Sequence, residues 1–343
     1  MVNSGKIDIN ALKRKIGVDD LIPLPRDVSP REYFRGSKAG RNFILMLYPE
    51  PSAENLTELK EFIRIGQWLS RQGVKSPELL ELHEDLCFAL FEDLGGTSFG
   101  KALREEKAPA EELYRHATDV LCALRDAAVL DLPDYYCSRI HQNRRQLLDY
   151  YVSFQKGERP NEDRVQDFLS VWDGIEKSLP PCPKGFVHGD YHLENMIYRP
   201  DADKQCGLID FQDALYGPMP YDLLNLLEDA RASVSENIKR EMINKFCVHM
   251  NDDEKQVFMS WYRVLCAQFH GRVLGLFIKL AAEQNRDSYL IHIPRLQNYM
   301  QESLKDPILA PLKTWFDKEG VDFTPVKDLH GDEVRRVFQN ISF

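Results

Sequence analysis

Several features that would fix a class at once are missing from this 343-residue sequence. There is no Cys-x-x-Cys pair: the seven cysteines, Cys87, Cys122, Cys137, Cys182, Cys206, Cys247 and Cys266, are odd in number and widely scattered. That spacing argues against a zinc site or a redox couple and favours a reducing compartment, the cytoplasm. An excess of positive charge is missing too. The net charge of −10 argues against general binding to nucleic acid or to an anionic membrane, because both rest on a positive surface. The start, Met1-Val-Asn-Ser-Gly-Lys-Ile-Asp8, lacks the apolar core of a signal peptide, and the most apolar late run, from Val273 to Ala282, is interrupted by Lys279, so no membrane span is expected. Repeats and low-complexity tracts are absent as well. What remains, 43% hydrophobic and 29% charged residues, is the composition of a folded chain with room for two lobes.

Against this background one stretch stands apart: Gly185-Phe-Val-His-Gly-Asp-Tyr-His-Leu-Glu-Asn-Met-Ile-Tyr198, followed by Gly207-Leu-Ile-Asp-Phe-Gln-Asp213. Short apolar runs, Phe186-Val187, Met196-Ile197 and Leu208-Ile209, read as strands that deliver His188, Asp190, His192, Asn195 and Asp210 to a cleft. Any one of these residues alone is more often a turn former or a helix cap; the ordered set reads as a phosphoryl-transfer centre. Kinases arranged in this way use one aspartate to receive the acceptor hydroxyl's proton, and an asparagine with a second aspartate to hold Mg²⁺. Asp190 fits the first role; Asn195 and Asp210 fit the second. Oxygen ligands of this kind suit a hard cation that keeps several of its own waters, with ATP as the donor. His188 reads as fixing the loop backbone. His192 either does similar work or faces the acceptor, Asp213 either orients the loop or contacts the acceptor, and Gln212 adds a hydrogen bond.

The remaining segments frame that centre. From Asp27 to Tyr48 two strand-like runs around a Gly/Ser/Lys turn predict a hairpin. In a kinase such a hairpin covers the ATP phosphates, and its second strand ends with a lysine that reaches them. Here Met46 takes that place, and no G-x-G-x-x-G loop is present. Metal and another cation would have to meet the phosphate charge, with Arg31 and Arg35 as nucleotide-binding candidates or else as solvated hairpin arginines. Leu56, Leu59, Ile63, Gly66 and Leu69 predict a helix to about Ser70, on which Glu58 and Glu61 read as surface charges. Two more strands, Glu78 to His83 and Leu86 to Phe91, run into Glu92-Asp-Leu-Gly-Gly96, where Glu92 and Leu94 would present backbone groups to an adenine edge. Helices are expected over 110–128, 139–154 and 163–179, ended by Pro180, Pro181 and Pro183. A loop over 214–220 then leads to a helix at Tyr221, where Asp222 either anchors that loop or favours the helix N-terminus. The tail from Glu254 is helical.

His188-Gly-Asp-x-His-x-x-Asn195 with Ile209-Asp-Phe-x-Asp213 resembles the aminoglycoside phosphotransferase and choline kinase-like group. Three narrower stretches are similar to the anomeric amino-sugar kinases within it: Arg31-x-Tyr-Phe-Arg35 with Met46; Asp210-Phe-Gln-Asp-Ala-x-x-Gly-Pro with Tyr221-Asp-Leu-x-x-Leu-Leu-Glu-Asp; and Val273-Leu-Gly-x-Phe with Tyr289-Leu and Ile293-Pro-Arg295. The resemblance covers residues 29–300, and in that subfamily too the lysine is absent. It implies an α+β, bilobal protein-kinase-like fold: a small antiparallel-sheet lobe over the nucleotide, residues 1–93, a larger and mainly helical lobe, residues 94–343, and a hinge near 92–96. It also implies ATP- and Mg²⁺-dependent phosphorylation of the anomeric hydroxyl of N-acetylmuramic acid or N-acetylglucosamine in cell-wall recycling. One departure bears on the acceptor: Gln268-Phe-His-Gly-Arg272 stands where the family more usually has a basic Gln-Arg-His run. The rival readings are a kinase of an aminoglycoside, choline or homoserine-like alcohol, and a nucleotide-binding pseudokinase. Intact Asp190, Asn195 and Asp210 speak against the pseudokinase, and the short interval from Asp210 to Tyr221 speaks against a protein kinase. The expected partners are a sugar and a nucleotide; the sequence specifies no oligomeric state.

Overall fold

Phe43, Leu45 and Leu47 alternate with Ile44 and Met46 along one segment, so a strand built from it has two apolar faces and needs cover on both. In the computed structural model, which describes residues 8–25 and 31–341, that strand lies at the centre of a five-stranded antiparallel sheet. The order is β1-β2-β3-β5-β4, with β1 at Leu21–Pro23, β2 at Glu32–Lys38, β3 at Arg41–Leu47, β4 at Leu79–His83 and β5 at Phe88–Glu92. One face is closed by α1, Ile9–Ile16, whose Leu12 and Ile16 join Phe34, Phe43, Leu45, Leu47, Phe88 and Leu90 in a buried cluster. The other face meets α2, Ala53–Arg71, started by the Ser52 cap; its Phe62 lies edge-on to Phe91 with ring centres 5.0 Å apart.

The hairpin expected from Asp27 is β2–β3, closed by Ala39 and Gly40 with positive φ at both, as a tight two-residue turn requires; its first residues, 27–30, lie outside the described residues. The compact unit that holds this sheet comprises the chain up to Leu130 together with His192–Asp213. It also contains α3, Phe99–Arg104, α4, Ala110–Arg125, and a small hairpin numbered here β7, Met196–Tyr198, and β8, Cys206–Leu208.

A second compact unit comprises Asp131–Tyr191 and Ala214–Phe343 and is mainly helical. Its elements are α5, Arg139–Gln142, α6, Ser153–Lys156, α7, Glu162–Ser178, the strand pair β6, Lys184–Val187, and β9, Leu215–Pro218, then α8, Pro220–Leu227, α9, Glu236–Phe246, α10, Asp252–Gln284, α11, Ile293–Ser303, α12, Ala310–Glu319, and α13, Gly331–Asn340.

Two expectations are corrected here. Residues 214–220 are not simply a loop: Leu215 to Pro218 form β9 and pair antiparallel with β6, which supplies the backbone partners that β6 would otherwise lack. The single helix expected over 139–154 is broken into α5, a 3₁₀ turn, a π-helical stretch at Leu147–Val152 and α6. α10 is long and apolar enough to cross a membrane by length and composition, but 83% of its most apolar window is buried inside the protein, as in a core helix.

Candidate active site

In the helical unit, β6 ends at Val187 and delivers the chain to His188-Gly189-Asp190. Gly189 has φ +87°, a conformation open to glycine at little cost. Asp222, buried in the first turn of α8, accepts the backbone N–H groups of His188 at 2.5 Å and Gly189 at 3.0 Å. One turn further along α8, Asn225 donates to the Gly189 carbonyl at 3.1 Å. The His188 ring is buried, and its Nδ1 accepts the Asp190 N–H at 3.3 Å. The loop backbone is thus tied from three sides while the Asp190 residue stays exposed. Burial pushes the Asp222 carboxyl up to about 6, against the pull of the His188 ring and of the two N–H donors.

The sheet-bearing unit continues the same chain. His192 Nδ1 accepts the Glu194 N–H at 3.2 Å, and its Nε2 lies 3.5 Å from the Asn195 amide nitrogen. The Asn195 carbonyl accepts the Ile209 N–H at 3.1 Å, joining the segment before β7 to the end of β8. Glu194 points at the start of α3, where Ser98 Oγ and Arg104 Nη1 each donate to it at 2.5 Å, and Gly100 leaves room for its carboxylate.

Asp210 follows in the left-handed region, φ +63°, which is uncommon for a residue other than glycine and marks a held conformation. The holding is visible next door: Phe211 is fully buried and stacks on Phe62 of α2 at 4.5 Å, in space that Gly66 leaves free on that helix. Gln212 donates to Asp210 Oδ1 at 2.9 Å and to Asp213 Oδ2 at 3.2 Å, while its own Oε1 is buried without a hydrogen-bond partner. Oxygens of the Asp210 carboxylate and the Asn195 and Gln212 amides are hard donors. Mg²⁺ asks for one or two carboxylates plus water and phosphate oxygens, so they fit it without a larger cluster of His, Cys, Asp and Glu, of which there is none among the described residues.

On the sheet, Met46 is fully buried opposite Tyr33 and Ala89, so no cation occupies the place of the usual lysine. Arg35 of β2 is bound by Asp93, with Nε 2.7 Å from Oδ2 and Nη2 2.9 Å from Oδ1, and by the Gly95 carbonyl at 3.0 Å. The Glu92 N–H donates to the Glu78 carbonyl at 2.8 Å and its side chain pairs with Lys75; Leu94 is buried. Glu58 meets the Tyr48 hydroxyl at 2.9 Å and Glu61 pairs with Arg64 on the same helix. Tyr33 was not singled out from the sequence. Burial pushes its hydroxyl up to about 12, Arg31 opposes this, and the charges of Asp210 and Asp213 add to it, so Tyr33 stands within electrostatic reach of all three. The available signal was alternation: residues 33 and 35 of β2 share a face.

Residues 20–253 match the profile of the phosphotransferase enzyme family. Among curated relatives, an N-acetylmuramate/N-acetylglucosamine kinase of Caulobacter vibrioides is 28% identical, with 86% of this chain and 82% of the relative covered. The enzyme of the same description from Pseudomonas aeruginosa is 27% identical, with 85% and 86% covered. Among solved structures, an ADP-bound aminoglycoside phosphotransferase matches with a TM-score of 0.57 at 14% identity, over 86% of this chain and 97% of that one, a likeness of fold.

Proposed function

This chain belongs to the phosphotransferase enzyme family, and from that premise we propose that it is an ATP-dependent kinase of the anomeric hydroxyl of N-acetylmuramic acid, N-acetylglucosamine or both, working in the cytoplasm in cell-wall recycling. Relatives so described share about a quarter of their residues over most of the chain. The observation that carries the reading is the tied loop around Asp190: buried Asp222 and Asn225 hold the backbone, and the Asp190 residue is exposed where an acceptor can reach it.

In this reading Asp190 orients the sugar hydroxyl and takes its proton as the oxygen attacks the terminal phosphorus of ATP. Asn195 and Asp210 hold Mg²⁺, with Gln212 fixing the Asp210 carboxylate; the ion, when bound, offsets phosphate charge. Phe211, locked against Phe62, keeps Asp210 in its left-handed conformation. Arg31 and Arg35 supply the positive charge that Met46 does not, and the backbone about Glu92 and Leu94 meets the adenine. His188 and His192 fix the loop, and Asp213 stands beside the acceptor or steadies Asp210 through Gln212. Asp190→Asn removes the base and little else: turnover of N-acetylmuramic acid with ATP should fall by about a thousandfold or more while ADP binding by calorimetry stays unchanged. Wild-type turnover in that variant would refute the role.

A second reading, the same chemistry on another small alcohol, is favoured by one observation, Phe269 and Gly271 in place of a more basic run. A panel of aminoglycosides, choline and homoserine run beside the two sugars separates the readings.

A further inference from the structure

Several half-buried arginines in the helical unit are met by carboxylates, Arg144 by Asp173 and Glu176, Arg145 by Asp149 and Arg164 by Glu158 and Glu319, while Arg286 donates to the Tyr289 hydroxyl and Arg295 to the Ala230 carbonyl and the Ser233 hydroxyl. Arg272, in the middle of α10, is also half-buried but has no carboxylate within ion-pair distance among the described residues. Its guanidinium instead donates to the Tyr221 hydroxyl at 3.1 Å and lies 5.5 Å from the centre of the Phe269 ring. A cation drawn out of water without a counter-charge is unfavourable, and groups of this kind gather where a ligand supplies what is missing.

The position of Tyr221 makes the ligand identifiable. It is the residue before Asp222, which ties down the catalytic loop, and its ring packs against Tyr135, Val187 and Leu215 at the root of that loop. Burial raises its hydroxyl pKa, Arg272 lowers it, and Asp222 and then Asp190 raise it, so Arg272 and Asp190 are among the charges within reach of the same hydroxyl. Arg272 and Asp190 thus stand around one fixed tyrosine of one unit. A molecule that offers a hydroxyl to Asp190 and an anion to Arg272 matches this pair. Among the sugars considered, N-acetylmuramic acid has both groups, an anomeric hydroxyl and a lactyl carboxylate, whereas N-acetylglucosamine has only the first. A guanidinium also matches a carboxylate in geometry, through paired N–H donors.

We propose that Arg272 receives the carboxylate of the acceptor and sets a preference for the acidic amino sugar over its neutral counterpart. This rests on the sugar-kinase reading above and adds to it the residue that selects the substrate. The test is kcat and KM for N-acetylmuramic acid and N-acetylglucosamine in the wild-type enzyme, Arg272→Gln and Arg272→Lys. In Arg272→Gln, kcat/KM for N-acetylmuramic acid should fall about 10- to 100-fold, chiefly through KM, the size of one lost charge-assisted contact. With N-acetylglucosamine the change should stay within about threefold, and Arg272→Lys should restore part of the loss, because it restores charge without the planar fork. An equal loss on both sugars would make Arg272 a support for Tyr221 and overturn the inference, as would no loss on either, with the sugar-kinase reading left standing. Failure of the wild-type enzyme to phosphorylate either sugar would overturn that reading and this inference with it.

Discussion

Asp222 is the buried side chain that holds the backbone before Asp190, and its electrostatics can be measured. Its carboxyl is pushed up to about 6 by burial, from an ordinary value of 3.8. The folded protein therefore binds this proton more tightly than the unfolded chain. The stabilisation is complete below the unfolded value and is lost as pH rises through about 6, so stability should fall across pH 4 to 6 by on the order of 3 kcal/mol from this group alone. Asp222→Asn should flatten that part of the urea-unfolding profile relative to wild type, and an unchanged slope would contradict the assignment. The same variant should lower kcat about tenfold or more, because an amide presents a donor to one of the two N–H groups that the carboxylate accepts. Residues of this kind were only partly legible in the sequence. Asp222 could be read as an anchor of the 214–220 loop or as a helix-terminal charge, whereas its carboxylate is held by the backbone of His188 and Gly189, a different loop. The grip of Asp93 on Arg35 could not be read at all, since it joins positions 58 residues apart with no local spacing to announce it.

Elements were legible where periodicity was strong and the cover was local. α2, α4 and α7 and the strands β2 to β5 follow their apolar patterns closely. β9 did not, because Tyr216-Gly-Pro218 has the composition of a turn, and its strand conformation comes from pairing with β6; a Cβ at Gly217 would strike the Tyr135 side chain. The broken stretch after α5 has a cause of the same kind. On α10, Gly275 lies so close to the main chain at Gln146 and Leu147 that a Cβ there would collide with the Gln146 carbonyl. Two effects then oppose each other in Gly275→Ala. Helix propensity favours alanine by about 1 kcal/mol, whereas overpacking against a backbone that cannot swing aside costs about 1–3 kcal/mol and separates α10 from that segment. The collision should win, with a net loss of up to about 2 kcal/mol in urea unfolding; a stabilised variant would show that the contact is slack.

For the molecule as a whole, a net charge of −10 coexists with a reaction centre that must receive ATP, so its positive charge has to be local. We propose that this task falls to Arg31 and Arg35 toward the nucleotide, Arg35 being held by Asp93, and to Arg272 toward the acceptor. The reaction class was legible because Asp190, Asn195 and Asp210 occur in the order that kinases of this kind show; the acceptor was less so, because the contact proposed for it, Arg272, lies on α10, distant in sequence from Asp190. The measurement that tests the central claim most directly is phosphorus and proton NMR of the purified protein with ATP, Mg²⁺ and N-acetylmuramic acid. The expected result is a sugar phosphate whose phosphorus couples to the anomeric proton, formed by the wild-type protein and not by Asp190→Asn. Phosphate on another hydroxyl, or no sugar phosphate at all, would contradict it.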